Sequence, residues 1–130
     1  MFTSDRSRID LDAAYALLAH THWADTLTRD TLERAAASSL CFGILHGERL
    51  VGFTHVITDL ATYGYLTDVV VHADFRRRGL GLWFMQRVLE SPGLQGLRRI
   101  ALLTRDAEDL YQRLGFERGV GPLIYMERRP

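Results

Sequence analysis

The chain has 130 residues, 47% of them apolar, and its 16 basic and 16 acidic side chains balance to a net charge of zero. This length predicts one domain over residues 1–130, and this apolar content favours a packed core over a disordered chain. A neutral chain lacks the net basic field typical of nucleic-acid-binding proteins. No apolar run is long enough to span a bilayer, and the N-terminus shows no secretion signal.

The first forty residues predict two helices. Apolar residues recur at helical spacing from Leu11 to Leu18, and Asp10 stands before them as a helix cap. A second helix is predicted over Arg29–Ala37, where the alanines favour it.

The central part of the chain predicts a meander of three strands. Leu40–Leu45 and Leu50–Ile57 are mostly apolar and flank a turn at His46–Arg49. The third strand, Tyr63–Val71, ends in three consecutive valines, a run that suits burial on both faces of a sheet.

The C-terminal part predicts two more helices and two more strands. A helix is expected from Gly79 to about Leu89, a strand at Arg99–Leu103, and a helix from about Asp106 to Leu114 that Gly115 closes. The last predicted strand is Leu123–Met126. The whole order predicts a mixed α/β domain in which helices cover a sheet.

One segment, Arg76-Arg77-Arg78-Gly79-Leu80-Gly81-Leu82, joins the third strand to the following helix. A helix N-terminus offers unpaired N–H groups and partial positive charge to a phosphate, glycines let backbone approach it closely, and arginines supply forked donors. The segment therefore predicts an anion cradle; the alternative is a solvated arginine patch before an ordinary helix. It is neither a P-loop nor a dinucleotide fingerprint, since Phe84 stands where the third glycine would be.

Two motifs resemble those of a known family. The stretch Thr67–Gly81, a strand ending in valine and then Arg-Arg-Arg-Gly-Leu-Gly, resembles the acetyl-CoA motif of the GNAT superfamily of N-acetyltransferases. Leu110–Glu117 resembles the family's Tyr-x-x-x-Gly-Phe helix end. The resemblance implies the GNAT fold, with a mostly antiparallel central sheet flanked by helices, whose first strand would either fall within Met1–Arg8 or be missing. It also implies transfer of an acetyl group from acetyl-CoA to a primary amine without a covalent enzyme intermediate.

The resemblance further assigns residues to the cofactor. The backbone of Val69, Val70 and Val71 would pair with the pantetheine arm, and the Val70 N–H would polarise the thioester carbonyl. The pyrophosphate would bind the loop formed by Arg76, Arg77, Arg78, Gly79, Leu80, Gly81 and Leu82. Tyr111 would protonate the departing thiolate; its alternative role is core packing beside Leu110 and Leu114.

The acceptor amine must lose a proton before it attacks, and Asp68 is the candidate base. This residue interrupts an apolar strand, on the face expected for Leu66 and Val70, so it either acts as the base or pairs with an arginine or backbone donors. The resemblance places His22 and Trp23 beside the acceptor pocket. His55 and Cys41 fit structural roles in the core.

Two other functions compete with that of an acetyltransferase. The first is a non-catalytic acyl-CoA-binding regulatory domain on the same scaffold. The second is an arginine-rich nucleic-acid module, which the neutral charge disfavours. A metal site is not expected, because no pair of histidines, nor the cysteine with histidines, has ligand spacing backed by a third partner. The single cysteine cannot form an internal disulfide, so the chain is expected in the reducing cytoplasm. It is also expected to form a homodimer. The sequence leaves the identity of the acceptor amine open.

Overall fold

The computed structural model describes residues 1–21, 26–119 and 121–130. This part of the chain forms a sheet with helices on both faces. The helices are α1 Leu11–Leu18, α2 Arg29–Ala37, α3 Leu80–Leu89 and α4 Glu108–Gln112, and the strands are β1 Phe2–Thr3, β2 Leu40–His46, β3 Arg49–Thr58, β4 Tyr63–Val71 and β5 Arg99–Leu102.

The sheet order follows the chain, β1-β2-β3-β4-β5. The first four strands are antiparallel, and β5 returns parallel to β4 after the crossover through α3. The mixed α/β architecture with a mostly antiparallel sheet is thus confirmed. β1 is a two-residue strand that pairs Phe2 with Ile44, so the strand expected within Met1–Arg8 is present in a reduced form.

Local capping explains why the first two helices begin where the sequence predicts. The Asp10 carboxylate accepts the N–H groups of Asp12 (2.9 Å) and Ala13 (3.3 Å), which have no partner inside α1. The Thr28 hydroxyl accepts the N–H of Thr31 at 3.1 Å in the same way.

Two apolar clusters hold the helices to opposite faces of the sheet. Along a strand, successive side chains point to opposite faces. On one face α1 and α2 pack on β3 and β4 through Leu18, Leu32, Phe53 and Val70. On the other face α3 packs through Phe42, Val56, Leu66, Phe84 and Val88.

Two C-terminal expectations need correction. Helix α4 begins at Glu108 because the Thr104 hydroxyl accepts the Ala107 N–H at 3.0 Å and turns the chain first. It ends at Gln112, and the predicted left-handed Gly115 (φ 93°) closes it.

The predicted strand Leu123–Met126 is wrong for the described residues. This segment pairs with no strand, and all four of its side chains are exposed, between 61% and 86%. Gly119 and Gly121, with φ of 51° and 68°, turn the chain before it. An apolar segment becomes a strand only where it can pair with the edge of a neighbouring strand, and among the described residues this segment pairs with none. Among the described helices, none combines the length and the hydropathy that a membrane crossing requires.

Candidate active site

The candidate site begins where two parallel strands separate. β4 pairs with β5 from Tyr63 to Leu66, and its remaining residues, 67 to 71, continue without a partner on that side. A strand edge of this kind presents free N–H and C=O groups to an extended ligand. The notch between β4 and β5 therefore offers a backbone surface that leads into the arginine loop.

The direction of the N–H groups on this free edge follows from one hydrogen bond. The His72 N–H donates to the Val51 carbonyl on β3 at 2.7 Å. Since the direction alternates along a strand, the Val70 N–H also points toward β3, whereas the N–H groups of Val69 and Val71 point into the notch. The geometry thus offers Val69 and Val71, rather than Val70, as donors to a ligand there.

A bulge in β4 sets the orientation of Asp68. The pairing between β3 and β4 shifts by one residue between Phe53 and His55, and Asp68 adopts a left-handed conformation with φ of 53°. The Thr54 hydroxyl fastens the bulge by donating to the Thr67 carbonyl at 2.8 Å. Backbone strain at a non-glycine residue persists where the surroundings enforce it, often at functional sites.

Asp68 does not share a face with Leu66, contrary to the expectation from alternation. Leu66 packs in the cluster beneath α3 and Val70 in the cluster beneath α1. Asp68 instead contacts His55, with 2.8 Å between Oδ2 and Nε2. The bulge turns the carboxylate toward the α1 and α2 face, where the Asp68 side chain stays 19% exposed.

His55 belongs to this group through both of its ring nitrogens. Its side chain is 4% exposed, and its Nδ1 lies 3.1 Å from the Ser39 hydroxyl oxygen. That hydroxyl donates to the Ala35 carbonyl near the end of α2 at 2.7 Å. The structure thus joins Ser39, His55 and Asp68 in one chain of hydrogen bonds, of which the sequence identified only Asp68 as functional.

The loop after β4 has the geometry of an anion cradle. Arg77 and Gly79 are left-handed, with φ of 62° and 71°, and these turns bring the loop onto the N-terminus of α3. The hydrogen bond from the Trp83 N–H to the Gly79 carbonyl, at 3.1 Å, is the first of the helix. The N–H groups of Leu80, Gly81 and Leu82 precede it and have no intrahelical partner.

The three arginines of this loop differ in how they are held. All three are exposed. Arg76 donates through Nε to the Val71 carbonyl at 2.9 Å, and the Arg78 guanidinium lies 5.6 Å from the centroid of the Phe75 ring. These contacts keep two of the positive charges close to the loop, where they add to the field of the helix N-terminus.

The spacing at Gly81 provides a test of whether a phosphate group fits. A Cβ placed on Gly81 would stand 3.6 Å from Leu110 Cδ1 on the α4 side, so a side chain there would fill the gap between the two helices. On Gly79 a Cβ would meet no atom within 4 Å. The residues present therefore leave room at the helix N-terminus for a phosphate-bearing chain.

Tyr111 lies on α4. It is 8% exposed, and its ring meets Phe116 edge-on with the centroids 5.7 Å apart. Burial raises the pKa of its hydroxyl to about 12. It lines a cavity of about 820 Å³ that runs along β5 and also borders Leu102, Thr104, Leu114 and Phe116. This position is compatible with a packing role and with donation of a hydrogen bond by the hydroxyl.

Acidic and aromatic groups lie around Tyr65. Burial raises the pKa of Tyr65 on β4, and the nearby Tyr125, Tyr63, Asp68 and Glu127 raise it further. Tyr125 and Glu127 of the C-terminal segment are therefore near Tyr65. No sequence signal for this proximity exists, because it depends on where the irregular segment lies.

Some expectations fall outside what the structure covers. His22 and Trp23 lie outside the described residues. Within the described residues, no three histidine, cysteine or acidic side chains group as a metal ion would require.

Comparison with known proteins identifies the family. The family described as "Acetyltransferase (GNAT) family" matches residues 8–116. A candidate acetyltransferase of Gibberella zeae is 34% identical over 134 residues, covering 85% of this chain and 75% of that protein.

Solved structures agree with this assignment. A candidate acetyltransferase of the GNAT family from Xanthomonas campestris pv. campestris is 40% identical, with a TM-score of 0.92, over 100% of this chain and 92% of the other. The ribosomal-protein-S18-alanine N-acetyltransferase of Escherichia coli, 22% identical with a TM-score of 0.77, covers 92% of this chain and 79% of its own and shares the fold. The chain therefore belongs to the GNAT family of acetyltransferases.

Proposed function

We propose that this chain transfers the acetyl group of acetyl-CoA to a primary amine by direct attack of the amine on the thioester. The observation that carries the proposal is the free edge of β4, residues 67 to 71, which runs directly into a loop and helix N-terminus shaped for phosphate. GNAT enzymes generally use acetyl-CoA, and this chain belongs to them.

The cofactor-binding residues carry out three tasks in this proposal. The N–H groups of Arg77 to Leu82 bind the pyrophosphate, with the arginine side chains adding charge. The strand Val69-Val70-Val71 binds the pantetheine arm as an added strand would bind. A free-edge N–H, from Val69 or Val71, donates to the thioester oxygen as negative charge develops there, which is commonly worth about 2.7–4 kcal/mol.

Two residues handle protons. Asp68 takes a proton from the acceptor ammonium group, so that the nitrogen lone pair attacks the carbonyl carbon. Tyr111 donates a hydrogen bond to the sulfur as the C–S bond breaks. The nitrogen loses its second proton to the departing thiolate, so acetyl-CoA and the ammonium give an amide, free CoA and one released proton.

The acceptor enters from the α1 and α2 face in this proposal, since Asp68 turns toward it. The Asp68 carboxylate gives that side an acidic group, which suits a cationic amine. His22 and Trp23 remain predicted contacts of the acceptor. The same proposal includes that residues 1–130 form a single domain and that the protein is located in the cytoplasm.

The experiment is a free-CoA release assay with acetyl-CoA and a panel of amines: tyramine, spermidine, kanamycin, glycine and a peptide with a free N-terminal alanine. Release that depends on one of these amines, and that Asp68→Asn reduces by about 10²-fold or more, is the expected result. Tight binding of acetyl-CoA by calorimetry without release for any amine would favour the non-catalytic acyl-CoA-binding domain instead.

We also propose that two copies of the chain form a homodimer. Within the described sheet β5 pairs with β4 alone, and the segment Leu123–Met126 exposes four large apolar side chains. An open strand edge and exposed apolar side chains each favour association. Light scattering after size exclusion is expected to give twice the chain mass of 14.8 kDa, and a monomer over a hundredfold range of concentration would refute the dimer.

A further inference from the structure

The sheet face that carries Asp68 has a row of apolar side chains that is partly exposed. Residues directly opposite each other on neighbouring strands point to the same face, and Ile57, Tyr65 and Ala101 form such a row across β3, β4 and β5. Leu66, the next residue of β4, packs beneath α3, so the row lies on the face of α1 and α2. Ile57 remains 51% exposed there.

Leu103 extends this row toward the notch. Ile100 and Leu102 of β5 pack beneath α3, so alternation places Ala101 and Leu103 on the opposite face. Leu103 is 58% exposed and follows Leu102, the last residue of β5 that pairs with β4. The short Ala101 side chain leaves room between the larger Tyr65 and Leu103. We call this surface the apolar floor; its residues are Ile57, Tyr65, Ala101 and Leu103.

The charges at the two ends of the apolar floor are opposite. Asp68 lies three residues beyond Tyr65 on β4, which is about 10 Å along a strand, and the bulge turns its carboxylate to this face. Arg99 precedes Ala101 by two residues on β5, so it lies on the same face at the end away from Asp68, and it is exposed. A cation at Asp68 whose substituent follows the floor would meet apolar side chains first and a positive charge beyond them.

We propose that the apolar floor binds the substituent of the acceptor, and that the acceptor is a monoamine with an aromatic or branched apolar group. Its ammonium group faces Asp68, and the apolar group covers Tyr65, Ala101 and Leu103. A second ammonium group would approach Arg99, and a hydroxyl-rich amine would lose water from its hydroxyls against apolar side chains. This inference rests on the proposed function, because it requires the acceptor amine to lie at Asp68.

The first test compares amines on the unaltered chain. 2-Phenylethylamine and ethanolamine carry the same aminoethyl group, and they differ in having a phenyl ring or a hydroxyl at its other end. Burial of a phenyl ring commonly changes an equilibrium by about 10- to 10²-fold. In the free-CoA release assay, kcat/KM is therefore expected to be at least about tenfold higher for 2-phenylethylamine than for ethanolamine, spermidine or kanamycin.

The outcomes separate this inference from the proposed function. A kcat/KM for ethanolamine, spermidine or kanamycin that equals or exceeds the value for 2-phenylethylamine would overturn the apolar floor and leave acetyl transfer in place. Acetyl-CoA binding without release for any amine would refute the proposed function, and this inference with it.

Two variants locate the preference, and a third is their control. Leu103→Ser removes an apolar group from the floor, and Ala101→Leu fills the space between Tyr65 and Leu103. Leu60→Ser is matched to Leu103→Ser, since Leu60 is 57% exposed. A Cβ placed on Gly93, in the segment after α3, would stand 3.4 Å from Leu60 Cδ2, so this leucine lies away from the floor.

Leu103→Ser and Ala101→Leu should each lower kcat/KM about tenfold for 2-phenylethylamine and less than about twofold for ethanolamine, with unchanged affinity for acetyl-CoA in calorimetry. Leu60→Ser should match the parent chain with both amines. Equal losses for the two amines in Leu103→Ser would overturn the assignment. A parent dimer that becomes a monomer in Leu103→Ser, with the amine preference kept, would also overturn it, because a second copy would then cover this face. The comparison of amines on the unaltered chain decides the matter if a variant fails to fold.

Discussion

Replacing Tyr111 with phenylalanine separates proton donation from packing. The hydroxyl is buried enough to raise its pKa to about 12, whereas a thiol has an ordinary pKa of about 8.5. Complete proton transfer from Tyr111 to the CoA thiolate is therefore uphill by about 3.5 units, or about 5 kcal/mol. Tyr111 is better suited to donate a strong hydrogen bond than to give up its proton.

This difference sets the expected magnitude. A hydrogen bond to a charged group contributes about 1.5–3 kcal/mol, which corresponds to roughly 10- to 100-fold in kcat. The loss should appear in kcat with acetyl-CoA affinity unchanged, because the charge on sulfur develops only as the bond breaks. The high pKa also keeps the hydroxyl protonated, so Tyr111 should add no basic limb below about pH 11.

The assay compares Tyr111→Phe with Tyr63→Phe, a tyrosine that is 41% exposed on β4. Unfolding stability should change by less than about 1.5 kcal/mol in Tyr111→Phe, since ring volume and the contact with Phe116 are kept. Wild-type turnover would show that Tyr111 only packs. A loss beyond about 10³-fold would show complete proton transfer, and with it a hydroxyl far more acidic in the loaded site than burial allows.

Three further variants test the cradle, the bulge and a loop. Gly81→Val should weaken acetyl-CoA binding by at least about tenfold in calorimetry with little change in Tm, because its side chain would fill the space before Leu110; unchanged affinity would refute the cradle. Thr54→Val should lower kcat more than acetyl-CoA affinity, since its hydroxyl holds the bulge that turns Asp68, and an unaltered kcat would show that the bulge needs no such bond. Asp59→Ala should lower Tm at pH 7. The Asp59 carboxylate accepts hydrogen bonds from the Thr62 hydroxyl and from the N–H groups of Thr62, Ala61 and Tyr63, and these bonds hold the pKa of Asp59 well below its usual range. A carboxylate with a depressed pKa in the folded state stabilises the fold at pH values above its ordinary pKa, and this stabilisation is lost as the pH falls through the pKa of the folded state. The difference in Tm between Asp59→Ala and the parent chain should therefore disappear in strong acid. A difference that is independent of pH would contradict this.

The elements that the sequence predicted correctly are those with local causes. α1 and α2 begin at a capping residue, and the hairpin between β2 and β3 turns at polar residues and glycine, so a few neighbouring residues determine each boundary. The loop at Arg76–Leu82 was found for the same reason, since glycines and arginines before a helix have a direct physical meaning.

The features that the sequence missed depend on distant partners. Alternation placed Asp68 beside Leu66, but a one-residue bulge reversed the face, and nothing in β4 alone marks the position of a bulge. Ser39 lies 16 residues from His55 and has no motif around it. Leu123–Met126 has a strand-like composition, yet whether it pairs depends on an edge elsewhere in the fold.

The two proton-handling residues lie on opposite faces of the sheet, and this separation leads to a last prediction. Asp68 contacts His55 beneath α2, whereas Tyr111 packs in the cluster beneath α3. Groups without shared contacts usually contribute additively to a free energy, within about 0.3–0.5 kcal/mol. The variant that combines Asp68→Asn with Tyr111→Phe should therefore lose kcat by the product of the two single losses. A combined variant no slower than Asp68→Asn alone would contradict this additivity. The proton would then pass from the amine to the sulfur in a step that Tyr111 does not influence, and Tyr111 would act after the step that limits turnover.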